Sequence, residues 1–148
     1  MLRIVTDGGA DMPPEWLEQY DIHVMPLNIH FGDEAYIQGV NLDSNKFYEL
    51  INRKRIAPKT SLPSPNQIME FYRKIASQGD EILSIHLASR LSGTYQAFQL
   101  AANEIAGEMR VYPFDSLAGS AALGFMCRES RLLDRAGATV QDILHRLE

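Results

Sequence analysis

Short apolar runs of strand length alternate with segments of helical periodicity along this chain, and that alternation most constrains its fold. Strands are predicted at residues 2–6, 22–31, 81–87 and 110–114. The predicted helices lie at residues 13–20, 44–55, 66–78, 93–106, 118–136 and 139–148. Strands that alternate with helices favour a parallel sheet covered on both faces. The sequence therefore predicts an α/β fold, a three-layer α/β/α domain with a mainly parallel sheet.

Two segments depart from this alternation. The run at residues 22–31 is interrupted by Pro26, and Gly32-Asp33 after it predicts a turn. Residues 35–37 are expected to return beside that run as a short hairpin arm. Residues 57–65, APKTSLPSP, contain three prolines and no periodicity, so they are predicted to form a loop.

Length and composition limit the class of protein. The 148 residues suffice for one cored domain, and 45% of them are hydrophobic. A net charge of −5 leaves no basic excess for nucleic acid. No apolar run approaches a membrane span and no signal-peptide pattern opens the chain, so we expect a cytoplasmic protein without stable membrane insertion. The one cysteine, Cys127, is expected in the core, and no metal-ligand spacing is present, so no cofactor is predicted.

The stretch from Ser84 to Tyr95, SIHLASRLSGTY, is the strongest candidate for a functional site. It is predicted as a buried strand, a polar turn and a helix that opens at Gly93. Ligands of open α/β sheets bind at the carboxyl ends of strands, and the free N–H groups of a helix start favour an anion. Ser92 would offer a hydroxyl donor there without adding a charge.

Other hydroxyl side chains are predicted near the same edge of the sheet, which contains few lysines and arginines. They are Thr60, Ser61, Ser64, Ser89, Ser92 and Ser116. Neutral donors and helix N–H groups can stabilise a carboxylate without an opposing cation. The simpler interpretation of each residue is a turn or helix-cap role.

Two enzymatic alternatives use residues of the same edge. Asp7 and Asp115 each end a strand, and such a pair could hold Mg²⁺ for a phosphotransferase or hydrolase, or could simply anchor loops through hydrogen bonds. Ser92 with His86 could act as a serine hydrolase, although no G-x-S-x-G motif is present. A satisfied, half-buried histidine is the simpler interpretation of His86.

Several stretches, taken in order, resemble the DegV family of bacterial fatty-acid-binding proteins. The resemblance covers nearly the whole chain. It rests on VTD at 5–7, ADMP at 10–13, PL at 26–27, FGDE at 31–34, GV at 39–40, TSLPS at 60–64, LSGTYQ at 91–96, and Asp115-Ser116 with Ser120 and Gly124. Gly8, Gln38 and Leu62 stand where the family commonly has serine, aspartate and glutamine.

The resemblance implies a carrier without chemistry of its own that encloses a long-chain fatty acid, such as palmitate or oleate. Such a carrier presents the carboxylate to a separate fatty acid kinase, which forms an acyl phosphate. By position, the carboxylate would be held by Thr60 or Ser61 and by Ser92, with the Gly93 N–H as a helper.

The resemblance also implies that residues 1–148 correspond to an N-terminal domain, and that the second, C-terminal lipid-binding domain is absent from this chain. A truncated half would cover about half of a palmitate tail, worth roughly 5–6 kcal/mol. Association itself costs about 4 kcal/mol or more, so millimolar or weaker binding is expected. The apolar face left exposed predicts self-association.

Overall fold

The computed structural model describes residues 1–148 and divides them into two compact units. The larger unit consists of residues 1–25 and 64–148, and the smaller one of residues 26–63. In chain order the elements are β1 (Leu2–Asp7), α1 (Glu15–Gln19), β2 (Ile22–Met25), β3 (Asn28–Phe31), β4 (Glu34–Ile37), α2 (Ser44–Lys54), β5 (Lys59–Ser61), α3 (Pro65–Ile75), β6 (Glu81–His86), α4 (Thr94–Glu104), β7 (Arg110–Asp115), α5 (Ser120–Arg135) and α6 (Val140–Leu147).

The larger unit is a parallel four-stranded sheet in the order β2-β1-β6-β7, with helices on both faces. Successive residues of a strand point to opposite faces. Ile4 accordingly packs with Leu123 and Ile143 of α5 and α6, whereas Val5 packs with residues of α3 and α4 such as Ile68 and Phe98. The predicted three-layer α/β/α fold is confirmed, and Cys127 lies in the core as expected.

The smaller unit is an antiparallel sheet in the order β4-β3-β5, with α2 in the same unit. Its core contains Ile29, Phe31 and Leu50. The predicted hairpin is confirmed, and Gly32 adopts a positive φ of 63° at its turn. The prediction of a loop at residues 57–65 is wrong in part, because Lys59–Ser61 forms β5 against β3.

Helix caps account for several polar residues. Pro14 occupies the N-cap position of α1 without a side-chain cap, and the Asp11 carboxylate accepts a hydrogen bond from Ser120 Oγ at 2.7 Å. Ser64 forms a capping box with Gln67 at the start of α3. Thr139 and Asp142 form a second capping box at the start of α6. No helix is long and apolar enough to span a bilayer.

Candidate functional site

Loops that follow β1, β6 and β7 are tied together at the carboxyl end of the larger unit's sheet. The backbone N–H of Leu87 donates to the Asp7 carboxylate at 3.0 Å, and Ala88 N donates to Ala118 O at 2.8 Å. Ser120 N donates to Gly9 O at 2.9 Å. The predicted convergence of the strand-to-helix loops at one edge is therefore confirmed.

Ser92 lies at this edge immediately before α4 and is half-buried. Its Oγ accepts a hydrogen bond from the Thr94 backbone N–H at 3.2 Å and lies 2.8 Å from Thr94 Oγ1. Gly93 is exposed and occupies the N-cap position, where it provides no side-chain cap. The N–H groups of Gly93, Tyr95 and Gln96 thus remain available at the positive end of the helix.

Thr60 and Ser61 lie on β5 in the smaller unit, and both are exposed. Thr60 pairs with Ile29 and Ser61 with Asn28, so the two side chains point to opposite faces of that sheet. The Ser61 hydroxyl lies 2.9 Å from His30 Nε2, whereas the Thr60 hydroxyl makes no hydrogen bond. His30 was not singled out from the sequence, because its contact with Ser61 depends on the pairing of a strand predicted as loop.

The predicted carboxylate-binding residues are distributed over both units. Ser92 and Gly93 are adjacent in the larger unit, and Thr60 and Ser61 are adjacent in the smaller one. A site that draws on all four residues stays a prediction. Two other predicted hydroxyls have the simpler roles, because Ser64 caps α3 and the Ser116 hydroxyl donates to Ala118 O at 3.1 Å.

His86 belongs to a buried chain of hydrogen bonds. Tyr72 OH donates to Ser84 Oγ at 2.9 Å, Ser84 Oγ lies 2.7 Å from His86 Nε2, and His86 Nδ1 lies 3.0 Å from Asp7 Oδ2. A neutral imidazole that donates from Nδ1 and accepts at Nε2 satisfies every member of this chain. Burial lowers the pKa of His86, which favours this neutral form.

These contacts do not support a hydrolase based on Ser92 and His86. His86 is fully buried rather than half-buried, and its hydroxyl partner is Ser84 instead of Ser92. Ser84, His86 and Asp7 follow one another as a catalytic triad would. Ser84 is 0% exposed and accepts a hydrogen bond from Tyr72, so no substrate can reach its oxygen. This buried series of hydrogen bonds therefore has a structural role.

The carboxylates of Asp7 and Asp115 anchor loops. Burial raises the pKa of Asp7, but the contacts with His86 and with the N–H groups of Leu87 and Gly9 outweigh it and hold the pKa below its usual value. Asp115 Oδ1 accepts the N–H groups of Ser89 and Leu117, each at 3.1 Å. No group of three histidine, cysteine, aspartate or glutamate residues is placed to hold a metal ion. The structure thus favours the loop-anchoring interpretation over the Mg²⁺ pair.

Comparisons with known proteins agree with this architecture. A family model described as "Uncharacterised protein, DegV family" matches residues 1–148. Protein DegV of Bacillus subtilis is 34% identical over an alignment of 148 residues that covers 99% of this chain and 52% of that protein. A DegV domain-containing protein of Clostridium perfringens is 34% identical over 142 residues, covering 96% of this chain and 50% of the relative. The chain spans about half the length of the curated relatives it matches.

Solved structures match equally well. The crystal structure of DegV from Bacillus subtilis, described as a fatty acid binding protein, superposes with a TM-score of 0.91 at 33% identity and covers 99% of this chain and 52% of that one. A Thermotoga maritima protein whose structure revealed a fatty acid binding function gives a TM-score of 0.85 at 32% identity, covering 99% and 53%.

Proposed function

Because the chain belongs to the DegV family, we propose that it binds a long-chain fatty acid, such as palmitate or oleate, by its carboxylate. The observation that carries this proposal is the start of α4, where a half-buried Ser92 hydroxyl adjoins unpaired N–H groups. Relatives from Bacillus subtilis and Thermotoga maritima, at 33% and 32% identity, are described as fatty acid binding.

The carboxylate would accept hydrogen bonds from Ser92 Oγ and from the Gly93 N–H, with a further hydroxyl from Thr60 or Ser61. Hydrogen bonds to an ionised oxygen are about twice as strong as neutral ones, so a few neutral donors suffice. Thr60 is favoured over Ser61, because its hydroxyl is exposed and unbonded, whereas that of Ser61 already contacts His30.

Apolar side chains beside Ser92 support an aliphatic ligand. Leu91, which immediately precedes Ser92, is 73% exposed, and Leu117 is 72% exposed. The loops that hold them share Asp115, whose Oδ1 accepts from both Ser89 N and Leu117 N. These leucines would cover methylene groups next to the carboxylate, and burial of each methylene contributes about 0.8 kcal/mol.

We further propose that the protein is a carrier without catalysis of its own, acting in the cytoplasm. It would present the carboxylate to a separate fatty acid kinase, which forms the acyl phosphate. Residues 1–148 would serve as one α/β half of that carrier and cover only part of the tail. The apolar surface around Leu91 and Leu117 would then favour self-association of this half.

Lipid extraction and titration test the proposal. A delipidated sample should bind oleate saturably in the millimolar range expected for this half, and mass spectrometry of an organic extract of the purified protein checks whether any fatty acid is retained. Ser92→Ala should weaken that binding, whereas Ser44→Ala, an exposed serine at the start of α2, should not. The proposal is wrong if the extract contains no fatty acid and oleate does not bind, or if Ser92→Ala binds as the wild type does.

A further inference from the structure

We propose that Thr94 is a positioning residue that fixes the Ser92 hydroxyl as a hydrogen-bond donor toward the ligand. The inference rests on the proposed carboxylate binding and adds to it how the headgroup is selected. Thr94 is the first residue of α4 and, unlike Ser92, is only 2% exposed. It therefore cannot contact the ligand through an open surface, and acts through Ser92.

Both hydrogen-bond donor groups of Thr94 contact the same atom, Ser92 Oγ. Its backbone N–H donates to Ser92 Oγ at 3.2 Å, and its Oγ1 lies 2.8 Å from the same oxygen. Thr94 Oγ1 makes no other hydrogen bond. The hydrogen bond between the two hydroxyls therefore runs in the direction that leaves neither proton without an acceptor.

If the Ser92 hydroxyl donated to Thr94 Oγ1, the Thr94 hydroxyl proton would have no acceptor. Thr94 is closed to water, and an unpaired buried donor is unfavourable. In the opposite direction, Thr94 donates to Ser92 Oγ, and the Ser92 proton points out of a half-buried site where an acceptor or water can reach it. Only this second direction satisfies both hydroxyls.

The second direction restricts what Ser92 can bind. A serine oxygen has two acceptor sites, and both are used, one by the Thr94 N–H and one by the Thr94 hydroxyl. The group left over is a single proton, so Ser92 can only donate. A carboxylate oxygen accepts that proton well, whereas an ammonium headgroup, which has no lone pair, cannot. Thr94 therefore makes the serine selective for acceptor headgroups.

The test compares Thr94→Val, which keeps the shape and removes the hydroxyl, with Thr94→Ser, which restores it. The probe is octanoate with a ¹³C-labelled carboxyl group, and binding is followed by NMR from the ligand carbon and from the amide of Gly93. We expect Thr94→Val to weaken octanoate binding about five- to tenfold, because Ser92 keeps its proton but loses the partner that orients it, which costs less than loss of the whole charge-assisted hydrogen bond. Thr94→Ser should recover most of that loss.

A double variant separates positioning from packing, and a cationic ligand of the same chain length tests the selectivity for acceptor headgroups. If Thr94 acts through Ser92, Thr94→Val should weaken binding no further once Ser92→Ala is present. Octylammonium should bind no better than background to the wild type. In the wild-type chain without ligand, the Thr94 hydroxyl proton should exchange slowly with water and that of Ser92 rapidly, a measurement that does not depend on any variant folding.

The outcomes are distinguishable. Absence of saturable oleate binding to the delipidated wild type, together with absence of octanoate binding, overturns the proposed function. Wild-type binding that Thr94→Val leaves unchanged overturns the role of Thr94 alone. Equal losses in Thr94→Ser and Thr94→Val, or a protected Ser92 proton in the free protein, also overturn it, because they indicate packing or the opposite bond direction.

Discussion

Replacement of Asp7 by asparagine tests the buried hydrogen-bond chain. Asp7 accepts three hydrogen bonds: from Gly9 N at 2.8 Å, from Leu87 N at 3.0 Å, and from His86 Nδ1 at 3.0 Å. The first reaches Oδ1 and the other two reach Oδ2. Asparagine has one acceptor oxygen, so its N–H₂ group must face either the Gly9 N–H or the two donors of Leu87 and His86.

The expected loss follows from counting these bonds. In the better orientation asparagine keeps the two bonds at Oδ2 without their charge and loses the bond to Gly9. A hydrogen bond to a charged group contributes about 1.5–3 kcal/mol, and a donor left facing a donor adds to the loss. We expect Asp7→Asn to lower the free energy of unfolding of the larger unit by about 2–4 kcal/mol at pH 7.

The single tryptophan makes the measurement specific to this unit. Trp16 packs edge-on against Tyr20 and Phe125 in the larger unit, so its fluorescence during urea unfolding reports that unit. Asp33→Asn is the matched control, since it removes one carboxylate from an exposed turn of the smaller unit and changes the net charge equally. A loss below about 1 kcal/mol in Asp7→Asn, with the control unchanged, would contradict a structural role for these bonds.

Further predictions concern acid sensitivity, a close helix contact and a helix cap. Because burial lowers the pKa of His86 from 6.5, the unfolded chain binds a proton that the folded chain does not, so the free energy of unfolding should fall below about pH 6.5. For this histidine the free energy of unfolding changes by up to about 1.4 kcal/mol per pH unit. Burial also lowers the pKa of His23, which acts in the same direction. Urea titrations between pH 7.5 and 5 check this, and a stability that stays constant or rises would contradict it. Gly124→Ala should lower the free energy of unfolding by about 1–3 kcal/mol, because the new Cβ would lie 2.5 Å from the Asp11 carbonyl oxygen, whereas Gly107→Ala meets no atom within 4 Å and should change it little. Equal effects of the two substitutions in urea unfolding would refute the close contact. Ser64→Ala removes the cap of α3 and should lower the midpoint of thermal unfolding by an amount equivalent to about 1 kcal/mol, with Ser44→Ala as the control.

The parallel sheet and its helices were predictable because each element follows a local pattern. The apolar run of β6 and the helical spacing of α4 each lie within a window of about ten residues, where periodicity is informative. The three residues of β5 are too few for any period, and the prolines around them indicate a loop. That strand exists only because β3 offers it a partner, which no local pattern reveals.

In the candidate site, too, contacts between neighbours along the chain were predictable and long-range contacts were not. The contact between Ser92 and Thr94 joins neighbours along the chain and belongs to the common repertoire of serine turns, so sequence alone could suggest it. The contact between Asp7 and His86 joins residues 79 positions apart. The sequence placed Asp7 at the end of one strand and His86 within another, but it could not show that the buried imidazole ring would contact that carboxylate. The side-chain contact between His30 and Ser61 was not predicted for the same reason, because it joins residues 31 positions apart.

The strand order has a consequence for synthesis on the ribosome. β1 lies between β2 and β6. His86 of β6, the hydrogen-bond partner of Asp7 in β1, follows Asp7 by 79 residues. At about 5–20 residues per second, roughly 4–16 s separate the translation of these two positions. Residues 26–63 form a contiguous unit that is translated within this interval. The smaller sheet can therefore assemble cotranslationally while one side of the nascent β1 still awaits its neighbour.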